Sequence, residues 1–592
     1  MLRPYKKLIV LEKIMVTIES QWTKIAGLDE LSQTNCLTRT VDGHTIVLFK
    51  YSENVYAVDN RCPHMGFPLN KGSLSNGILT CHWHHARFDL ASGGTFDLWA
   101  DDVPAFPVRV DGDDIFVDTT PPADRIAQHL KRVRVGLEQN LRLVTAKSVI
   151  GLHQHGVDMA APFQIGLEFG TTYRSNGWGQ GLTILACMIN LVPYLDDEQK
   201  PRALYHGLSA TANDSSGWSP HFSAGTLPND NVDIPTLKRW LGEFIEVRDA
   251  QAAERVIISA VNNGADDKQM ADMLFAAATD HRYIQGGHAL DFVNKALESL
   301  DIAGWDLAGT VLGSVARLLA EAPRMEESNA WRYPIDLVRI LENAFENLPD
   351  TVNSSNNMSN TEIDALVEIL LADNPQASVD ALLNALENGV SAETLAGVVA
   401  YAASIRIAQF HTSNEFGDWD TALHTFTFAN AVHMGLRRGH SQDLVRGVFD
   451  AAMSIYLDRF LNIPAAKIPN PAEKVANPET LLENFESLLN QQQQVNQAGA
   501  LVADYLYSGG DADKLLATIG RLLLREDRDF HTIQCIEASF RQYSLLKGTK
   551  YANTLLIAAV RYLAAHAPTS RAQGQTYINA NRLAQGEHLF EG

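Results

Sequence analysis

The sequence predicts a multidomain chain in which an all-β N-terminal domain precedes a large all-α helical-repeat domain. Three observations carry this reading. Short runs that alternate apolar and polar residues are confined to residues 15–118. From about residue 125 onward, alanine and leucine recur at three- and four-residue steps, the period of a helix with one buried face. The length of 592 residues also exceeds what a single core ordinarily supports.

The β domain, 15–118, is justified run by run. HTIVLFKY (44–51), NVYAVDN (54–60), GILTCHW (77–83), FPVRV (106–110) and DIFVD (114–118) are expected as strands. Val110-Asp111-Gly112-Asp113 marks a hairpin turn between the last two. Residues 1–14 form an N-terminal tail. Its basic-apolar stretch is broken by Glu12 and Lys13 and lacks a small-residue cleavage site, which makes a poor signal peptide. Regular patterning begins just after Met15, so translation from Met1 and from Met15 both stay open. TTPPAD (119–124) opens a linker expected over 119–140.

The helical domain occupies 141–592. Three of its segments share a layout: IQGGHALDFVNKAL (284–297), DTALHTFTFANAV (420–432) and DRDFHTIQCIEASF (527–540). Each opens an apolar helix on a histidine, namely His288, His424 and His531, and an alanine-rich helix follows each. WGQGLTILACMIN (178–190) is a more distant version with Gly181 in the histidine column. Units are expected around 141–220, 250–330, 380–462 and 498–570, stacked or closed around an inner surface. PDTVNSSNNMSN (349–360) and NQQQQVNQ (490–497) read as surface loops or joins.

Composition narrows the partners. The formal charge of −22 argues against nucleic acid and against an anionic membrane. Apolar runs such as LTILACMINLV (182–192) are too short to span a bilayer. The five cysteines, Cys36, Cys62, Cys81, Cys187 and Cys535, exclude a disulfide scaffold and fit a reducing cytoplasm.

The strongest chemistry lies in Cys62-Pro63-His64 and Cys81-His82-Trp83-His84, each on a loop between short strands. Two thiolates can hold one iron of a [2Fe–2S] cluster and two neutral imidazoles the other. The same Cys₂His₂ set also suits zinc. The surrounding string NRCPHMGFPLNKGSL…GILTCHWHHARFDLASGGTFD resembles the Rieske [2Fe–2S] family over about residues 16–118. The resemblance implies that Cys62 and Cys81 bind one iron and His64 and His84 the other. His85 stands where the family usually has Gly, and His82 where Pro is frequent; both read as exposed loop residues. The chain lacks the extra cysteine pair of high-potential members. That places the centre in the ferredoxin-like class, near the low end of a range of about −150 to +300 mV.

A carrier alone rarely needs so long a helical partner, so the helical domain is expected to use the electrons. The ring-hydroxylating architecture would need a His-x₄-His pair, which is absent. Histidines in like positions of units around an axis would face a common cavity, so His288, His424 and His531 are expected as a second metal site, with iron the candidate ion. Asp280, Asp291, Glu168, Glu415 and Glu537 are carboxylates that can complete a set. Each single histidine also has a bland reading, a polar residue opening a helix. His206 (mid-helix beside Tyr205), His281 and His411 (in a segment inserted relative to the other units) are the candidate catalytic residues. His153, His155 and His221 are weaker candidates at a helix entry and in a loop. The words ALYHGL and GGHALDF are similar to the questin oxidase-like helical family, associated with oxidative ring-opening of aromatic polyketides; no catalytic residue is carried over on them.

No G-x-G-x-x-G follows a strand and no P-loop occurs, so electrons are expected from a separate NAD(P)H-dependent reductase or a ferredoxin. The expected function is a cytoplasmic Rieske oxidoreductase. Its cluster feeds a site in the helical domain for metal- and O₂-dependent, monooxygenase-like oxidation of a small molecule. A homo-oligomer is compatible with this reading. The alternative is a redox-sensing Rieske domain fused to a non-catalytic helical scaffold.

Overall fold

Among the described residues, every strand lies between Trp22 and Asp118; the expected runs are strands at least in part, and Trp22–Gly27, Cys36–Val41, Ser73–Ser75 and Arg87–Asp89 are strands beyond those expected. The computed structural model describes residues 22–120, 125–229, 231–349, 356–439, 441–471, 477–587 and 589–590. The expected tail 1–14, both candidate starts, residues 121–124 of the expected linker and residues 350–355 of the first polar stretch lie outside these.

In chain order the strands are β1 (Trp22–Gly27), β2 (Cys36–Val41), β3 (His44–Tyr51), β4 (Asn54–Asp59), β5 (Ser73–Ser75), β6 (Ile78–Thr80), β7 (Arg87–Asp89), β8 (Ala105–Phe106), β9 (Val108–Asp111) and β10 (Asp114–Asp118). They make three small antiparallel sheets, ordered β1-β10-β9, β2-β3-β4-β8 and β5-β6-β7. β3 shows the period-two logic. Its Ile46 and Leu48 enter one core with Leu31, Ile115 and Val117. Val47 and Phe49 enter a second core with Val58, Leu79, Phe88, Cys62 and Cys81. That second core is the floor of the two cysteine loops.

The remainder is helical. The chain divides into one unit of residues 1–131 with 579–592 and another of 132–578. Part of the stretch expected as a linker over 119–140 is a helix, Arg125–Glu138. It begins where the helical period of the sequence sets in and buries Arg132, Val133, Gly136 and Leu137. Gly136 is required there: a Cβ would meet the Thr145 hydroxyl at 2.3 Å, so the helix sits tight on the next one, Arg142–Gln154.

Four helices of the helical unit place the site: α1 (Gln180–Leu191), α2 (His288–Ala303), α3 (Phe416–Arg438) and α4 (Phe530–Leu546). α2 packs on α1 and α3, and α4 does the same from the opposite side. The pairing across the core is in step. Gln534 of α4 meets Asp291 of α2, 243 residues away, and Glu537 meets Lys295, 242 away. Gly181 on α1 leaves room for backbone rather than for a ligand. A Cβ there would meet the Ala210 carbonyl at 2.7 Å. Among the described residues, no helix is long and apolar enough to cross a membrane.

Candidate functional site

Two matching loops rise from the second core of the β unit. In the first, Cys62 N–H donates to the Phe67 carbonyl and Gly66 N–H to the Cys62 carbonyl, both at 2.8 Å. In the second, Cys81 N–H donates to the Ala86 carbonyl at 2.8 Å. Each closed loop turns its following backbone N–H groups toward a cysteine sulfur. Those of His64 and Met65 donate to Cys62, and those of Trp83 and His84 donate to Cys81. Such donors stabilise negative charge on sulfur. The two thiols hydrogen-bond to each other, which raises the Cys62 pKa and pulls that of Cys81 down to about 6.

His64 and His84 stand edge to face, with ring centroids 4.7 Å apart. Trp83 and Trp99 flank them, at 4.4 Å from His84 and 4.7 Å from His64. Two buried sulfurs ringed by N–H donors, beside two adjacent imidazoles, suit a [2Fe–2S] cluster. The N–H groups favour the thiolate form that iron binding requires, while His64 is half-buried and His84 exposed.

The loop bases are braced. Arg61 clamps Asp59 through Nε at 3.1 Å and Nη2 at 3.0 Å. Arg87 clamps Asp97 in the same way, at 3.1 and 2.8 Å. Gly66 and His85 occupy equivalent turns and both have positive φ, 85° and 63°. That conformation favours glycine. His85 therefore carries backbone strain at a glycine-type position. His82 and His85 are exposed, as expected.

Comparison with known proteins agrees with this geometry. Residues 21–107 match the Rieske [2Fe-2S] domain. The 3-phenylpropionate/cinnamic acid dioxygenase ferredoxin subunit of Shigella boydii serotype 4 (strain Sb227) is 36% identical over 75 residues, 12% of this chain and 71% of that protein. The chain belongs to the Rieske [2Fe–2S] family through its N-terminal unit. The ferredoxin component of the naphthalene 1,2-dioxygenase system of Pseudomonas aeruginosa is 26% identical over 99 residues, 17% of this chain and 95% of that protein. Among solved structures, the ferredoxin of carbazole 1,9a-dioxygenase from Nocardioides aromaticivorans IC177 is 30% identical. It covers 17% of this chain and 98% of its own, with a TM-score of 0.16. The Rieske unit carries a [2Fe–2S] cluster and the electron-transfer role of such domains.

The helical unit brings together the three histidines singled out by the shared layout. Among the described residues, one ring nitrogen from each of His288, His424 and His531 lies within 4.8 Å of the others. The His424 and His531 Nε2 atoms are 3.0 Å apart. All three rings are half-buried, so the group is reachable from outside. Burial and mutual repulsion lower the His288 pKa to about 3 and that of His424 to about 4. Both rings are therefore neutral at physiological pH, the form that binds metal. Phe292 and Phe530 pack against His288, with centroids 5.5 and 5.6 Å away, and form an apolar wall.

Local sequence explains this placement. α2 starts at His288 after a tight turn in which Tyr283, Gln285, Gly286 and Gly287 all have positive φ. A side chain at Gly287 would strike Phe428 and Tyr283 at 3.0 Å. α4 is capped by Asp529, which accepts from Thr532 N–H at 2.6 Å and sets His531 in the first turn.

One partner of this site was missed in the sequence. Asp420, four residues before His424, places Oδ2 3.5 Å from His531 Nδ1. Its other oxygen accepts from Tyr562 O–H at 2.6 Å, and His566 Nε2 lies 3.9 Å away. A carboxylate beside Nδ1 favours the tautomer that keeps the lone pair on Nε2, the atom that faces His424. The one-turn spacing of Asp420 to His424 was the available signal.

The other candidates have different surroundings. His206 is buried, and its pKa falls to about 3 through burial and the nearby Arg202. His281 lies between two carboxylates, Glu326 at 2.7 Å and Glu246 at 3.1 Å. His411 meets Ser413 at 2.7 Å in its loop. His153 pairs with Asp197 at 3.2 Å, and His221 with Glu254 at 2.8 Å. None of these joins the three-histidine group. Of the carboxylates offered to complete a set, Asp280 pairs with Arg446, Glu168 with Arg134, and Glu415 caps α3. Asp291 and Glu537 lie deeper in the bundle.

Proposed function

We propose that this protein is an oxidoreductase in which the Rieske centre supplies electrons to a metal held by His288, His424 and His531. Cys62, Cys81, His64 and His84 are the cluster ligands in this reading. The reaction class that suits the pair is O₂-dependent oxidation of a small organic molecule. One observation carries the proposal. Three imidazoles from three helices, far apart in sequence, converge within ligand distance, and they are the residues that the shared layout selected. When bound, an iron on three imidazoles retains open positions for O₂ and substrate.

The chain's own residues do the rest. Asp420 and Tyr562 hold the His531 tautomer. Phe292 and Phe530 exclude water from one side and offer an apolar surface to an organic substrate. Electrons come from a separate NAD(P)H-dependent reductase or a ferredoxin. The acidic surface, with its formal charge of −22, favours docking of a basic face. Five free cysteines fit a cytoplasmic setting.

The test is cluster reoxidation. Anaerobically reduced protein mixed with O₂ and followed by stopped-flow absorbance should lose the reduced-cluster spectrum faster than the His424→Ala protein does. Equal rates would leave the Rieske centre without an acceptor in its own chain and favour the sensor-and-scaffold alternative.

A further inference from the structure

Beyond the three histidines, the core between α2 and α4 is charged rather than apolar. α2 continues from His288 through Asp291, Lys295 and Glu298. α4 continues from His531 through Gln534, Glu537 and Arg541. Steps of three and four residues keep each series on one helix face. Lys295 Nζ bonds Glu537 at 2.8 Å and Glu298 at 3.1 Å. Arg541 bonds Glu298 at 2.8 Å and reaches Glu537 at 3.5 Å. Asn190 of α1 donates to both glutamates at 2.9 Å. Two cations and two glutamates thus pair off.

Asp291 is left over. It is 1% exposed. Its Oδ2 accepts from the Gln534 side-chain amide, an uncharged partner. It takes part in no ion pair among the described residues. The Gln534 carbonyl oxygen, on a side chain also 1% exposed, has no hydrogen-bond partner. A lone carboxylate in such a place is costly unless it is neutralised or a cation is near. Lys295 acts on Asp291 from a distance, but that cation is already bonded to Glu298 and Glu537, so a further positive charge nearby would stabilise the carboxylate. Two members of the three-histidine group, His288 and His531, lie one helical turn away on the same two helices, about 4.5 Å along the axis. An imidazole ligand binds in its neutral form and brings no negative charge to a divalent ion.

We propose that Asp291 is the buried counter-charge of a divalent cation held by His288, His424 and His531, fixed in place by Gln534. This rests on the reading of those histidines as a metal site. The carboxylate acts through space and sets the affinity of the site without touching the ion. The groups that share its surroundings are Lys295 and Glu298 on its own helix, Glu537 on α4 and the buried Cys187 thiol on α1. Burial lifts the Asp291 pKa to about 7, so the carboxyl stands between its neutral and ionised forms near neutral pH, and a cation close by would favour the ionised form.

The test is titration of the full, cluster-loaded chain with Co²⁺ at pH 8, read by its ligand-field bands and by calorimetry. Asp291→Asn keeps the shape and the bond to Gln534 while removing the charge. It should weaken Co²⁺ by about tenfold or more, as a unit charge near a divalent ion in a low-dielectric core requires, with band positions unchanged. Gln534→Glu adds a carboxylate at the same depth and should tighten binding. This opposite sign is one that a packing role would not produce, and it stands even if Asp291→Asn folds poorly. Equal affinity in wild type and Asp291→Asn, or weakening by both variants alike, overturns the inference while leaving the metal site. If wild type shows no Co²⁺ bands that His424→Ala abolishes, the site reading falls and this inference with it.

Discussion

Asp420→Asn is a small change with a specific expected consequence. In the native chain the Asp420 carboxylate faces His531 Nδ1 at 3.5 Å and is anchored by the Tyr562 hydroxyl at 2.6 Å. A carboxylate can only accept, so Nδ1 carries the proton and Nε2 keeps its lone pair toward His424, 3.0 Å away. Asparagine has nearly the same shape but can present an N–H. Donated to Nδ1, that N–H places the proton on Nε2 and removes the ligand lone pair. Losing such an outer partner typically costs about 10- to 100-fold in metal affinity, or about 1.4–2.7 kcal/mol. Asp420 is only partly buried, so the lower half of that range is expected. The assay is Co²⁺ or Zn²⁺ binding to purified full-length protein at fixed ionic strength, with a thermal melt of the metal-free chain as the folding control. Affinity unchanged in Asp420→Asn, with an unchanged melt, would refute the argument that this carboxylate orients His531.

Other consequences follow from the same geometry. Cys81→Ser should abolish the visible absorbance and the electron-paramagnetic signal of the cluster while leaving helical circular dichroism in place; a surviving Rieske signal would show that the ligands are elsewhere. His85→Gly relieves a residue at φ 63° and should raise the unfolding free energy by about 1 kcal/mol without moving the cluster spectrum. A lower stability would mean that the His85 side chain does more than tolerate the turn. His206 is buried neutral, with a pKa of about 3 against 6.5 in the unfolded chain. Between these values the unfolded state binds the extra proton, so its contribution is intact above pH 6.5 and is lost as pH falls. The stability of wild type relative to His206→Gln should therefore fall toward acid by about 1.4 kcal/mol per pH unit in that window. Urea unfolding at several pH values checks this, and a pH-independent difference would contradict it.

The parts of this molecule legible in the sequence share one property: their spacing is local. Cys62-x-His64 and Cys81-x-x-His84 each fit on one loop, so two short words were enough to place the Rieske unit. The histidines of α2, α3 and α4 were visible because each lies in a similar apolar stretch; His288 and His531 stand in the first turn of their helices as expected, whereas α3 begins at Phe416 and carries His424 well inside it. What spacing cannot show is how helices rotate against one another. Asp291 and Glu537 were visible as nearby carboxylates, but their division into a paired lattice and a leftover charge depends on which faces meet. Gly181 fitted the histidine column by sequence, yet it serves close backbone packing. The helical rhythm from about residue 125 was visible, but a proline pair marks a break without saying how soon a helix resumes, so the linker expected over 119–140 overlaps the helix Arg125–Glu138.

The central claim, a second metal centre fed by a Rieske cluster, is tested most directly by counting metal. Elemental analysis of purified full-length protein should give two irons for the cluster plus a further transition metal on each chain. The His288→Ala/His424→Ala/His531→Ala protein should return to two irons with the cluster signal intact. Two irons in both proteins, after loading with iron under reducing conditions, would contradict the account.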